Sequence, residues 1–272
     1  MTSSMKSILP LPAALICVLT TVMTPASAAD IQNETIEYRD GDQTLVGYLA
    51  YDADLATSSN PRPGVLVVHQ WMGQTDYEQR RCRELAQLGY VAFALDIYGK
   101  GVRPADTSEA AQLSGKFKKD RQLYRRRLNL GLDQLRGVSV CDADQLAAIG
   151  YCFGGTGVIE LARSGADIDG VVSFHGGLDS PRPEDGKNIR CKILACHGED
   201  DPYVPPADVQ AFQSELNNAD VDWQMIIYSD TVHSFTQPMA GDDPSEGAAY
   251  NAQSDKRSFA AMQSFFEELF PQ

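Results

Sequence analysis

No two cysteines in this 272-residue chain form a C-x-x-C pair, which argues against a dithiol redox centre. Basic residues are scarce beside acidic ones: 23 Lys and Arg stand against 37 Asp and Glu, for a formal net charge of −14. Polyanion binding needs a cationic face, so no nucleic acid is expected as a partner. The local basic clusters, Lys116-Phe117-Lys118-Lys119 and Arg125-Arg126-Arg127, follow a helical pattern and read as a solvated helix face. Beyond residue 28 no apolar run approaches the roughly 20 residues of a membrane span. The four histidines, His69, His175, His197 and His233, are too widely spaced for a compact ligand motif, so no metal or cofactor is expected. No internal repeat, linker or second compositional regime divides residues 29–272, which read as one domain.

The first 28 residues stand apart. Lys6 gives a positive start, Ile8 to Met23 is mostly apolar, and Ala26-Ser27-Ala28 has the small-x-small form of a cleavage site. That is the pattern of a secretory signal peptide, and it implies a periplasmic or secreted protein. Ile16 before Cys17 does not suit a lipoprotein signal. Cys82, Cys141, Cys152, Cys191 and Cys196 follow the leader, an odd number that suggests one free reactive thiol in an exported chain. Cys141 and Cys191 both precede strands at one end of the expected sheet and are candidates to pair. The expectation is that every remaining thiol is free and buried, with that pair as the alternative.

One stretch carries a chemical signature. Ala147-Ala148-Ile149 leads into Gly150-Tyr151-Cys152-Phe153-Gly154-Gly155, and Val158-Ile159-Glu160-Leu161-Ala162 continues as a helix. Strand, sharp turn and helix around G-x-nucleophile-x-G is a nucleophile elbow, with Cys152 in the place of a serine. Small residues at 150 and 154 let strand and helix pass closely, and the helix N-terminus favours a thiolate. A buried cysteine in a glycine-rich turn is the plainer alternative.

The remaining pattern predicts strands at Ile31 to Tyr38 and Thr44 to Tyr51, joined by a hairpin turn at Asp40-Gly41-Asp42. Apolar runs at Val65 to His69, Tyr90 to Leu95, Gly170 to Phe174, Cys191 to Cys196 and Trp223 to Tyr228 alternate with helical segments. The helical segments are Asp76 to Leu88, Thr107 to Gly137, Pro206 to Leu216 and Asp255 to Leu269, with Gly115 or Gly131 as possible breaks in the longest. Alternation of this kind predicts an α/β fold: a mostly parallel twisted sheet with helices on both faces and an N-terminal antiparallel hairpin.

A nucleophile needs a base, and the base needs an orienting acid. In elbow-bearing folds the order along the chain is nucleophile, acid, histidine. His233 is the histidine that satisfies it, in a mobile loop past the last strand. The acid belongs in His197-Gly198-Glu199-Asp200-Asp201-Pro202, where Pro202 holds Asp201 extended; Asp200 is the second choice. The backbone N–H groups of Phe153 and Trp71 are the candidate oxyanion donors. His69, His175 and His197 end strands at the same edge and are candidates to line the pocket.

G-Y-C-F-G-G at Gly150 to Gly155, H-G-E-D-D-P-Y-V-P at His197 to Pro205 and V-H-S-F at Val232 to Phe235 resemble the dienelactone hydrolase family of α/β-hydrolases. The resemblance runs from about Pro63 to the C-terminus. It implies a Cys152–His233–Asp201 triad that hydrolyses a small-molecule ester or lactone without a metal, in a protein expected to be a monomer. Two positions depart from the family. Gln70 stands where its dienelactone-opening members have a glutamate that modulates the thiol, and Thr236-Gln237 stands where they have a carboxylate-binding arginine. These departures motivate the alternative of a non-catalytic binding protein on the same scaffold.

Overall fold

Gly41 takes a positive φ of 59° and turns the chain back on itself. The hairpin it makes is β1 (Ile31–Asp40) paired antiparallel with β2 (Gln43–Asp52). From there strands and helices alternate: β3 (Arg62–Val68), α1 (Asp76–Gln87), β4 (Val91–Ala94), α2 (Thr107–Lys119), α3 (Arg121–Arg136), β5 (Cys141–Tyr151) and α4 (Phe153–Arg163). Then come β6 (Gly170–Phe174), β7 (Lys192–Gly198), α5 (Pro206–Asn218), β8 (Trp223–Tyr228) and α6 (Ala252–Leu269). This computed structural model describes residues 1–2 and 29–271; the expected leader, but for its first two residues, lies outside the described residues.

The eight strands form one sheet in the order β1-β2-β4-β3-β5-β6-β7-β8. β2 is antiparallel to β4, and every pair from β4 to β8 is parallel. The continuous apolar strands are the ones buried on both faces. Leu66, Val68 and Ala148 pack with Tyr124, Val158 and Phe212, so α3, α4 and α5 cover that face. Val65, Val67 and Ile149 pack with Leu85 and Phe266, so α1 and α6 cover the other. Each such Val, Leu or Ile contributes about 1.5–3 kcal/mol by leaving water.

Two expectations are corrected, on the helix break and the basic cluster, while the cysteines are the free thiols expected. The long helix breaks at Asp120 and not at a glycine, because the Asp120 side chain accepts from Leu123 N–H at 2.9 Å and caps α3. Gly131 sits inside α3, where a Cβ would stand 2.8 Å from that of Leu95. Cys141 and Cys191 do not pair; all five described cysteines are free thiols. β6 lies between β5 and β7, two spacings of about 4.8 Å, beyond the roughly 7 Å limit for a disulfide. Nor is the Arg125-Arg126-Arg127 cluster a solvated face: Arg125 and Arg127 are buried in ion pairs with Glu160, Asp185 and Asp40.

The Arg125 pairs belong to a buried charge cluster beneath α4. Arg163 has no exposed surface. Its guanidinium grips Glu215 of α5 through Nε (2.9 Å) and Nη2 (2.6 Å), and Glu160 of its own helix at 2.9 Å. Glu160 also accepts from Arg125 of α3 at 2.8 Å. The helix that starts at Cys152 is thus fastened to its neighbours on both sides. Removing one partner strands a buried charge, so Arg163→Ala should cost about 3–5 kcal/mol. For a chain of this size that is a fall in melting temperature on the order of 10 °C. Arg80→Ala, which removes a partly exposed pair with Glu84, should change stability by under about 1 kcal/mol; thermal unfolding of both variants measures the contrast.

Candidate active site

The chain leaves β3 for β4 on one side of it, then returns to place β5 on the other. Parallel sheets bind ligands outside the carboxyl ends of strands at such a switch point. Here the loop after β3 and the turn after β5 face each other across a cavity of about 260 Å³, lined by Trp71, Lys118, Cys152, Tyr203, Val204 and His233 among others. A larger hollow of about 620 Å³ at the opposite end of the sheet lies among Asp144, Asp169, Asp222 and Lys192. It has no histidine in its lining, so the chemistry belongs to the smaller cavity.

Cys152 occupies the elbow at φ 54° and ψ −114°, and α4 begins at the next residue. A non-glycine residue in that region is strained and persists only where its surroundings impose it. They do so here through close approach. A Cβ on Gly150 would collide with the carbonyl of Gly154, and one on Gly154 with the carbonyl of Val68.

The other two predicted members of the triad come from the ends of β7 and β8. His233 Nε2 lies 3.1 Å from Cys152 Sγ, and His233 Nδ1 lies 2.8 Å from Asp201 Oδ2. Asp201 is buried, whereas Asp200, the second choice, is exposed. Tyr203 packs edge-on over the His233 ring at 5.2 Å. The His233 segment is tied down at both of its peptide groups, unlike the mobile loop expected. Its N–H donates to Gly247 C=O and its C=O accepts from Ala249 N–H, at 3.3 and 3.0 Å.

Electrostatics separate the four histidines. Burial pushes the His233 imidazolium down, but the Cys152 sulfur and the Asp201 carboxylate outweigh it and raise its pKa to about 10. Burial likewise opposes the Cys152 thiolate. His233, Lys118 and the Phe153 N–H oppose burial in turn, and the thiol ends below its ordinary value. Both shifts favour a thiolate beside an imidazolium. His69 is driven down to about 4, chiefly by burial, and His175 falls well below the usual range for the same reason, helped by His233. Both stay neutral. Among the described residues no three His, Cys, Asp or Glu side chains are grouped as metal ligands would be.

The loop after β3 is held by its backbone. His69 Nε2 accepts from Ile97 N–H at 3.2 Å, so its proton sits on Nδ1, which donates to Gln70 C=O at 2.6 Å. Gly73 N–H donates to the same carbonyl at 3.1 Å. Gln70 N–H donates to Glu78 at 3.3 Å, and Trp71 C=O accepts from Tyr98 O–H at 2.8 Å. Across a trans peptide the Trp71 N–H points opposite to the pinned Gln70 carbonyl.

Gln70 and His175 were expected to line the pocket. Both are buried and neither is among its lining residues. The Gln70 position does meet a carboxylate, but through its peptide N–H and that of Glu78. His197 is buried too, and its Nδ1 has no partner among the described residues. Gln237 spends its side chain on the Met239 N–H at 3.3 Å. Lys118 is exposed, as a solvated face would have it, yet it also lines the cavity and its charge acts on the Cys152 sulfur. The one signal for it is its place directly after Phe117, whose ring packs in the core beside Phe153.

Comparison with known proteins agrees with this architecture. Residues 51–270 match the model of the dienelactone hydrolase family. A protein of Escherichia coli (strain K12) that carries the provisional name carboxymethylenebutenolidase is 28% identical over 200 residues, covering 68% of this chain and 72% of that protein. Among solved structures, one titled m3DLH superposes with a TM-score of 0.84 at 38% identity, over 89% of this chain and 99% of that one. P91, a dienelactone hydrolase-like promiscuous phosphotriesterase from metagenomic libraries, superposes with a TM-score of 0.83 at 36% identity, over 89% of this chain and all of P91. With a family match across most of its length and an eight-stranded hydrolase sheet beneath it, the chain belongs to the dienelactone hydrolase family.

Proposed function

We propose that this protein is an exported hydrolase of small carboxylic esters or lactones that works through a Cys152–His233–Asp201 triad. The observation that carries the reading is the unbroken line from sulfur to Nε2 at 3.1 Å and from Nδ1 to carboxylate at 2.8 Å. The Cys152 thiolate attacks the carbonyl carbon. The N–H groups of Phe153 and Trp71 receive the oxyanion. His233 gives its Nε2 proton to the departing alkoxide, which leaves an acyl thioester on Cys152. His233 then takes a proton from water, the resulting hydroxide attacks the thioester, and the thiolate departs. Asp201 holds the imidazole in the required tautomer throughout. A thiolate expels an amine poorly, so esters are favoured over amides. The export pattern in residues 1–28 supports an activity outside the cytoplasm.

Cys152→Ala should lower turnover of a small activated ester by about 10⁴- to 10⁶-fold. Undiminished activity would remove the assignment. The wild-type thiol should also react with iodoacetamide at pH 6 faster than a free thiol. A slow, ordinary thiol would favour the binding-protein alternative.

The pH profile has a sign. Activity should fall on the acid side as the thiolate gains its proton, below the usual thiol range, and on the alkaline side as His233 loses its own near its pKa of about 10. Asp201 helps to hold that proton, so Asp201→Asn should move the alkaline limb to lower pH while lowering kcat. Rate measurements from pH 4 to 11 on both proteins test the direction.

Among the described residues, Lys118 is the one lining cation of the cavity beyond the histidine, in a net acidic chain. It favours substrates that bear a carboxylate. A partly screened charge contact is worth about 1 kcal/mol. Lys118→Ala should then raise KM for an anionic ester roughly fivefold and leave a neutral ester of the same size unchanged. Equal effects on the two esters would refute the preference.

A further inference from the structure

His175 ends β6 with no exposed surface and a φ of 41°, in the left-handed region that a histidine rarely enters. Its ring is used on both edges. Nδ1 lies 3.1 Å from the Cys152 backbone nitrogen. That N–H also donates to Phe174 C=O at 3.0 Å, so the nucleophile's amide is shared between the two. A peptide nitrogen only donates, so Nδ1 is the bare nitrogen and the proton is on Nε2. Nε2–H donates in turn to Thr236 Oγ1 at 2.8 Å. Thr236 is fully buried and accepts a second bond from Tyr77 O–H, also at 2.8 Å.

The faces of the ring are used as well. It packs edge-on against His233 at 5.2 Å and against Phe235 at 5.0 Å. A single imidazole therefore touches the amide of Cys152, the ring of His233 and the side chain three residues beyond His233. We infer that His175 is a positioning residue: it bridges the elbow to the His233 segment and sets the separation of sulfur and imidazole. The inference rests on the reading of Cys152 and His233 as nucleophile and base.

The bridge works only as neutral imidazole. In the doubly protonated form both ring nitrogens donate, and an Nδ1–H would meet the Cys152 N–H head-on. The titratable groups around the ring are His233, Tyr151, Arg81 and Cys152, the last meeting it through its peptide N–H; burial opposes a second proton most, and His233 and Arg81 oppose it further. A histidine that merely filled space at the end of β6 would need neither of the two hydrogen bonds. An apolar ring of similar size would replace it without consequence.

That contrast is the test. His175→Phe keeps the ring and removes both hydrogen bonds. His175→Gln restores a donor and an acceptor. Thr236→Val removes the far acceptor and leaves the Cys152 contact. Misplacing a reacting group by about 1 Å can cost 100-fold. His175→Phe is expected to lower kcat by about ten- to a hundredfold with KM within about twofold. The pH profile of Cys152 alkylation by iodoacetamide should move to higher pH, because the imidazolium is no longer held beside the sulfur. His175→Gln should recover part of both losses, and Thr236→Val should shift both in the same direction by less. A folded His175→Phe enzyme with wild-type kcat and an unmoved alkylation profile overturns the inference. Should that variant fail to fold, unchanged kcat and profile in Thr236→Val overturn it equally. Failure of the functional reading is separate: it appears as turnover surviving in Cys152→Ala, whatever His175 does.

Discussion

The backbone of Gly154 lies against the carbonyl of Val68, so near that a methyl group would not fit between them. Most of the site follows from that contact. It requires the chain to turn sharply between β5 and α4, and the turn places Cys152 at positive φ. Because α4 starts at once, the N–H of Phe153 is left without a helical partner and faces the sulfur. The same approach brings the end of β3 beside the elbow, so that the loop through Trp71 borders the same cavity. A looser crossing would separate the thiol from both sets of N–H groups.

A strained turn persists only when the surrounding structure over-determines it. Two devices do so here, of different physical kinds. Beneath the turn, the buried side chains of Arg163, Glu160, Glu215 and Arg125 lock α4 to α3 and α5 by charge. Buried ion pairs add little net stability, but they are costly to break singly, so they resist small displacements of the helix. Above the turn, neutral hydrogen bonds take over: His175 holds the Cys152 amide, and His69 holds the Gln70 carbonyl. The division has a reason. A permanent charge next to the sulfur would fix its protonation state, whereas a neutral imidazole fixes geometry and leaves the charge to His233 and Asp201.

The sheet, the elbow and the order of nucleophile, acid and base were legible in the sequence because each leaves a local mark. Continuous apolar runs mark β3 and β6, G-Y-C-F-G marks the turn, and a proline after Asp201 marks the acid. What stayed hidden depends on contacts distant in sequence. Lys118 and Arg125 carry the same mark, a basic residue on a helical pattern. One reaches the cavity and the other is buried on Glu160. Only the place of Lys118 directly after the core residue Phe117 separates them, and that mark is weak. Gln70 misled for a related reason: its side chain was compared with a glutamate, while the loop is held through its peptide N–H, which every residue but proline provides. The helix break at Asp120 was misplaced because a side-chain cap ended one helix and began the next where a glycine had been expected to.

The histidines show how far burial alone can explain a site. His69, His175 and His233 are all nearly inaccessible to solvent, and burial by itself would leave all three neutral. His69 and His175 make hydrogen bonds only to peptide groups and a hydroxyl, all uncharged, and both remain neutral. His233 alone bonds two groups that carry negative charge, the Cys152 sulfur and the Asp201 carboxylate, and it alone is raised. Partner charge, not depth, therefore selects which imidazole can hold and release a proton. Because thiolate and imidazolium stabilise each other, each supplies the largest share of what opposes burial in the other. Any change that lengthens the 3.1 Å contact weakens nucleophile and acid together, and for that reason the uncharged scaffold around them has so little freedom to move.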